Sequence, residues 1–255
     1  MQINKYNSIV EVCSNLLYTC PIANKALAYL NQRLKPEVQV KFGFGFFPPQ
    51  DQLKMLFLFI SEAFLIENNF IYEKNIDSEY KIFFSSLEDH NLILPYKDAY
   101  GNIIALVGRS LLNDEERATL NIPKYKNTSF KKSEHLFGLF ESKLSIINQG
   151  YVYLVEGQFD CIQAHNKGIH NVIALGSSNM SPEQLLLILR YTNNIKLLLD
   201  NDEAGKIGRE RILEKYGKYT NFSNAYVPSG FKDLDDFLSE IPVSSNEELH
   251  KLLIN

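Results

Sequence analysis

Ile195-Lys196-Leu197-Leu198-Leu199-Asp200-Asn201-Asp202-Glu203-Ala204-Gly205 is the stretch that decides the fold. Ile195–Leu199 reads as a buried strand, and residues 203–217 read as the helix that follows it. Asp200 and Asp202 stand at i and i+2, so both can turn toward one site only if the strand ends there. The same design occurs upstream: Tyr151–Val155 is a short apolar strand, Glu156-Gly157 follows it, and a helix is expected over about 158–167. Between these units lie a strand at Val172–Leu175 and a helix opened by Ser181-Pro182-Glu183, an N-cap with proline in the first turn. A fourth strand near Asn224–Val227 precedes a final acidic helix beginning near Asp233. Strands alternating with helices imply right-handed βαβ crossovers and a mainly parallel sheet.

The acids give this sheet its chemistry. Ligands of open parallel sheets gather at the carboxyl ends of strands, where Glu156, Asp200 and Asp202 stand. Like charges crowded there are costly unless a cation neutralises them, and an oxygen-only donor set suits a hard ion such as Mg²⁺ or Mn²⁺. Gly157 and Gly205 let the backbone turn without a Cβ in the way. Asp160, four residues past Glu156, shares a helical face with it. Asp233, Asp235 and Asp236 add acids at another strand–helix junction, where helix capping is also a strong reading.

The front half is less regular. Residues 8–34 show helical spacing, with Ile22, Ala26, Tyr29, Leu30 and Leu34 on one face, and Phe42–Phe47 alternates like a strand. Residues 50–68 and 133–148 read as helix, while Asn91–Tyr96 and Ile103–Ser110 read as a hairpin turning through residues 97–102. Residues 1–149 hold 16 basic and 16 acidic side chains, whereas residues 150–255 hold 10 and 14. The window 117–133 carries Arg117, Lys124, Lys126, Lys131 and Lys132 with no acid. On charge alone that is a solvated loop; a phosphate-contacting patch is the sharper reading.

The 255 residues, 45% hydrophobic and 22% charged with net charge −4, are ordinary for a soluble chain of one large or two small domains. The richness in Asn, Lys, Ile, Tyr and Phe suits an AT-rich genome of the phage or mobile-element kind. Cys13, Cys20 and Cys161 form no C-x-x-C pair, which points away from a disulfide scaffold and a zinc ribbon. The five histidines show no metal-ligand spacing. No signal peptide opens the chain, and Leu53–Ile66, interrupted by Lys54 and Glu62, is too short and charged to span a bilayer. A cytoplasmic protein with no membrane partner is expected.

Val155-Glu156-Gly157 with Asp200-Asn201-Asp202-Glu203-Ala204-Gly205 resembles the TOPRIM fold of primases, topoisomerases and some nucleases. The flanking residues resemble bacterial DnaG-type primases in particular. They include Gln158-Phe159-Asp160, Leu175-Gly176-Ser177-Ser178 and Lys232-Asp233-Leu234-Asp235-Asp236-Phe237-Leu238. Upstream, Leu94-Pro95-Tyr96-Lys97-Asp98, Gly101-Asn102-Ile103-Ile104 and Gly108-Arg109 fit the same family. So do Pro123-Lys124-Tyr125-Lys126-Asn127-Thr128, Phe130, Lys132 and Leu136-Phe137-Gly138-Leu139. The likeness runs over most of residues 22–240.

The resemblance implies an α/β chain with an N-terminal α+β subdomain, residues 1–149, packed on a Rossmann-like TOPRIM domain, residues 150–255. It implies a nucleotidyltransferase that makes short RNA primers on single-stranded DNA from NTPs. Glu156, Asp200 and Asp202 would be catalytic and hold metal, two Mg²⁺ or Mn²⁺ ions, with Asp160, Asp233 and Asp235 as supporting ligands. Arg109, Lys124, Lys126, Asn127 and Lys132 would contact nucleotide or template. The family's zinc-ribbon and helicase-binding domains have no counterpart here, so a separate zinc-ribbon protein or a replicative helicase is an expected partner. A TOPRIM nuclease and a non-catalytic nucleic-acid or replisome-binding module are the competing readings. A topoisomerase is disfavoured because no tyrosine sits in a recognisable cleavage module.

Overall fold

A computed structural model describes residues 5–75 and 81–254. Contact density divides the chain into two compact units, residues 1–96 with 103–130, and residues 97–102 with 131–255. The strands of the two larger sheets fall on either side of the 149/150 division drawn from the sequence. The helix Leu139–Gln149, however, belongs to the second unit.

The first unit opens with α1 (Lys5–Thr19) and, past a 3₁₀ turn at Pro21–Ala23, α2 (Asn24–Arg33). The helical stretch expected over 8–34 is thus broken, because Pro21 removes an N–H and fixes φ. Ala26, Leu30 and Leu34 are buried as the spacing requires, but Ile22 is exposed. Phe42–Phe47 is only partly strand: α3 (Pro36–Phe42) runs up to Gly43, which takes a left-handed φ of 70°, and β1 (Gly45–Phe46) follows. Residues 50–68 are not one α-helix but a 3₁₀ helix, Gln50–Leu58, and then α4 (Glu62–Glu67), capped by Ser61. β2 (Ile71–Asn75) and β3 (Lys81–Ser85) form a separate antiparallel pair. β4 (Leu92–Lys97) and β5 (Ile103–Arg109) are the expected hairpin, joined in the sheet order β1-β4-β5-β6 by β6 (Tyr125–Asn127). Between them α5 (Asp114–Leu120) is closed by an Asn113/Glu116 capping box. The basic window 117–133 is therefore part helix and part strand. Ile9, Phe47, Leu53, Leu65 and Leu106 are among the residues packed in this unit's core.

In the second unit α6 (Leu139–Gln149) starts later than expected, at Gly138, whose φ of 78° leaves it outside the helix. β7 (Val152–Val155), α7 (Gln158–Asn166), β8 (Val172–Ala174), α8 (Pro182–Leu189), β9 (Asn194–Leu197) and α9 (Glu203–Tyr216) follow the expected alternation. β10 (Asn221–Asn224) comes earlier than expected, and after α10 (Leu234–Glu240) there is one more helix, α11 (Asn246–Leu252). The sheet order is β10-β9-β7-β8, with every pair parallel. Every residue of β7 and β8 is buried, as in a parallel sheet with both faces covered. The turn 97–102 joins this unit through Lys97, whose Nζ meets Glu141 at 2.8 Å, and through Lys143, whose Nζ donates to the Ala99 carbonyl at 3.0 Å. Among the described residues no helix is long and apolar enough to cross a membrane.

Candidate metal centre and cationic strands

Glu156 leaves the end of β7, and Asp200 and Asp202 follow β9, its neighbour in the sheet. Parallel pairing sets Leu154 beside Leu197, so the acids come off adjacent strand ends at the same edge. Glu156 Oε1 accepts a hydrogen bond from the Asp200 amide at 3.3 Å. Asp202 is exposed and caps α9, its Oδ1 accepting from Gly205 N at 2.8 Å. Gly205 is demanded by packing: a Cβ there would lie 2.1 Å from the Asp200 carbonyl and 3.0 Å from Glu156 Oε1.

The electrostatics are those of crowded carboxylates. Asp200 is pushed up to about 7, first by burial and then by the charges of Glu156, Asp233 and Asp202. Glu156 is raised as well, chiefly by burial, with Asp202 adding to the shift and Arg209 and Lys232 opposing it. Among the described residues no three His, Cys, Asp or Glu side chains converge tightly enough to form a ready cation cage. The donor set nevertheless fits a hard divalent ion: it is all oxygen, at one sheet edge, and its mutual repulsion is what such an ion relieves.

The supporting acids divide. Asp160 is 5% exposed, and both its oxygens are taken by backbone amides: Oδ2 by Gly157 N at 2.9 Å and Oδ1 by Asp235 N at 2.8 Å. Burial, then Asp233 and Asp200, hold its carboxyl well above the usual range. Asp233 caps α10 through Asp236 N at 2.8 Å, and its charge reaches both Asp160 and Asp200. Lys132 belongs to the same unit. Its Nζ donates to the Gly176 carbonyl at 2.9 Å, and Gly176 N donates to the Glu156 carbonyl at 2.8 Å, which ties this ammonium to the loop beside the acids. Gly176 bends that loop with a φ of 75°.

Sequence reasoning missed Arg209. It is 4% exposed on α9, donates from Nη2 to the Leu199 carbonyl, and lies 4.5 Å over the Tyr226 ring. Its charge favours the ionised form of Glu156; burial lowers its own pKa, and the charges of Tyr226, Glu156, Asp200 and Asp202 oppose that shift. The only sequence signal was a lone arginine on the apolar side of an otherwise polar helix.

In the first unit, Arg109 ends β5 and is 8% exposed. Its guanidinium stands 5.2 Å from the centres of both the Tyr29 and Tyr125 rings and donates to the Tyr125 hydroxyl. Lys124 and Lys126 are exposed on either side of Tyr125, whereas Asn127 is half-buried with an Oδ1 that has no hydrogen-bond partner among the described residues. His90, which the sequence left without a role, holds this strand in place. It is 2% exposed, its Nε2 lies 2.7 Å from the Pro123 carbonyl, and a Cβ on Gly108 would meet it at 2.7 Å.

Known proteins divide the chain in the same order. The family described as DNA primase catalytic core, N-terminal domain, matches residues 14–143, and a Toprim-like family matches residues 153–238. The DNA primase of Aquifex aeolicus is 30% identical over 250 residues, 97% of this chain and 48% of that protein. That of Thermotoga maritima is 28% identical, over 91% of this chain and 40% of the relative. The chain thus spans about half or less of the length of these curated relatives. Among solved structures, the zinc-binding and RNA polymerase domains of the Aquifex aeolicus primase match at 27% identity and a TM-score of 0.75, covering 98% of this chain and 61% of that one. A DNA primase domain from Pseudomonas aeruginosa matches at 28% and 0.70, covering 90% and 71%. A DnaG primase catalytic domain bound to single-stranded DNA, at 24% identity and a TM-score of 0.78, shares the fold. With a primase-specific family matching residues 14–143 and a primase relative aligned over 97% of this chain, the chain belongs to the DnaG-type DNA primase catalytic-core family.

Proposed function

We propose that this chain is the catalytic core of a DNA primase, joining ribonucleoside triphosphates into short RNA primers on single-stranded DNA. The observation that carries this reading is the crowding of Glu156, Asp200 and Asp202 at one sheet edge, within a chain of the primase family. These three residues would hold divalent cations, Mg²⁺ or Mn²⁺ and two in number, with Asp233 and Asp235 contributing from the α10 loop. Bound there, such ions would supply Lewis-acid activation of the primer hydroxyl and neutralisation of the leaving pyrophosphate.

The chain's own groups do the rest. Glu156 accepts the Asp200 amide and so fixes the β9 end against the β7 end. Arg209, buried on α9, opposes with its charge the burial that raises Glu156. Lys132, anchored on the Gly176 carbonyl, places a positive charge on the loop after β8, where it would face nucleotide phosphates. Lys124 and Lys126 are exposed and would bind template or nucleotide phosphates, to which half-buried Asn127 would donate from its side-chain amide. Arg109, clamped between two rings, would act with Tyr125 as a rigid platform for that strand. Asp160 serves as a backbone clamp and not as a direct ligand, since both of its oxygens are engaged. A single-stranded DNA template and NTPs are the proposed substrates. A replicative helicase and a separate zinc-ribbon protein are the proposed partners. A nuclease or a binding-only module has less support, because the relatives matched are primases.

The test is primer synthesis on single-stranded DNA with labelled NTPs and Mg²⁺ or Mn²⁺, comparing the wild-type chain with Asp200→Ala/Asp202→Ala. Metal-dependent oligoribonucleotides that disappear in the double variant are expected. No product from the wild type, even when a primer is already annealed, would sink the reading.

A further inference from the structure

Three acid-bearing loops meet at the carboxyl edge of the parallel sheet, and hydrogen bonds join them in a closed circuit. Asp200 N donates to Glu156 Oε1 at 3.3 Å. One residue on, Asn201 N donates to the Lys232 carbonyl at 2.8 Å. The Asn201 side chain reaches the same loop twice, Nδ2 donating to the Val227 carbonyl at 3.0 Å and the Phe231 carbonyl at 3.1 Å. Lys232 N then donates to Asp236 Oδ2 at 3.1 Å, and Asp236 N to Asp233 Oδ1 at 2.8 Å. Asp235 N closes the path onto Asp160, whose other oxygen holds Gly157 N, next to Glu156.

Asn201 lies between two of the acids and suspends the loop that carries two more. Each hydrogen of its amide has its own carbonyl acceptor, a pairing that only a planar amide of this length makes at once. The loop needs the tether. Ser229 and Gly230 are exposed, Gly230 has a φ of 103°, and Asp233 is repelled by the Asp200 charge it faces.

We propose that Asn201 is a positioning residue: by suspending the 227–232 loop from the Asp200-Asn201-Asp202 turn, it sets where Asp233 and Asp235 stand and so tunes cation binding at this edge. The inference rests on the metal-centre reading above. Glu156, Asp200 and Asp202 keep their own supports when Asn201 is shortened, because the Glu156–Asp200 bond and the Asp202 cap do not involve its side chain. The effect is therefore confined to the acids of the α10 loop.

The experiment is Mn²⁺ and Mg²⁺ titration calorimetry on the wild-type chain, Asn201→Ala, Asp233→Ala and the double variant, with hydrogen exchange on each. Outer partners of metal ligands are worth about 10–100-fold in affinity, so Asn201→Ala is expected to weaken cation binding by about tenfold. The double variant should fall within about threefold of the weaker single variant, since both remove the same contribution. Amides of 227–236 should exchange faster, with those of 153–166 unchanged. Ser245→Ala, which removes only the α11 cap, separates this from a general loss of stability and should leave cation affinity alone. Cation binding by Asn201→Ala within twofold of wild type, or losses that multiply in the double variant, would overturn the proposal. If Asn201→Ala does not fold, Asn201→Asp, which keeps the shape but faces an oxygen to both carbonyls, is read by the same criteria. A wild-type chain that binds no cation defeats the metal-centre reading instead, and the exchange rates of 227–236 then decide the tether alone.

Discussion

Arg109 ends β5 of the first unit and Asp200 follows β9 of the second, and the two charges are kept in different ways. Arg109 is buried against Tyr29 and Tyr125, with two ring faces and a hydroxyl standing in place of water. Asp200 is half-buried among Glu156, Asp202 and Asp233, so its environment disfavours the charged form and raises its proton affinity to about 7. Arg109 contributes stability as it stands. The Asp200 edge gives stability up, and on the proposed function a divalent cation bound there would restore it. A chain that spends stability at one place and not another marks where its ligand is to bind.

Four changes test that contrast, from the largest effect to the smallest. Gly205→Ala puts a methyl 2.1 Å from the Asp200 carbonyl. It should cost about 3 kcal/mol or more in urea unfolding and remove calorimetric Mn²⁺ binding together with it. Arg109→Ala leaves two facing tyrosines without their filler and should cost about 2–3 kcal/mol while leaving Mn²⁺ affinity unchanged. A drop in metal affinity with Arg109→Ala would end the claim that the two charges are independent in kind.

Asp200→Asn should act in the opposite direction on stability. Because the folded-state pKa lies above the unfolded one, the folded chain binds the extra proton between pH about 4 and about 7, and wild type loses stability as pH rises through that window. The penalty is complete above about 7 and absent below the ordinary carboxylate range. Metal-free Asp200→Asn should therefore be more stable than wild type by about 1–2 kcal/mol at pH 8, allowing for solvent screening, and equal to it near pH 4. Thermal melts at the two pH values measure this, and equal melting points at pH 8 would contradict the electrostatic account. Last, Lys126→Ala should change stability by less than about 0.5 kcal/mol. It should lower the salt slope of single-stranded DNA binding by about 0.7, one phosphate contact.

How much of this was legible in the sequence follows from the physics of each region. The parallel sheet was readable because β7 and β8 are apolar throughout, its helices carry caps such as Ser181, and its acids stand where strands end. The first unit was not. Gln50–Leu58 has the apolar content of a helix but winds as 3₁₀, leaving Leu58 and Phe59 exposed. β6 is only three residues long with none fully buried, so it carries no alternation to detect and looks like solvated loop. β2 and β3 mix aromatic and charged residues, and nothing in them marks a period. At the candidate site the acid residues were visible as residues, but their division of labour was not. That Asp160 holds two amides and that the Arg209 charge reaches Glu156 are facts of the third dimension.

Gly205 and Gly208 stand three residues apart on α9, and neither position has room for a side chain: a Cβ at 208 would lie 2.5 Å from the Ser178 carbonyl. Lys206, Ile207 and Glu210 around them face solvent. As copies of this gene diverge, mutation can rewrite the exposed positions freely while the two glycines stay fixed. The first turns of this helix should therefore change at very different rates on its two sides, long after overall identity has faded.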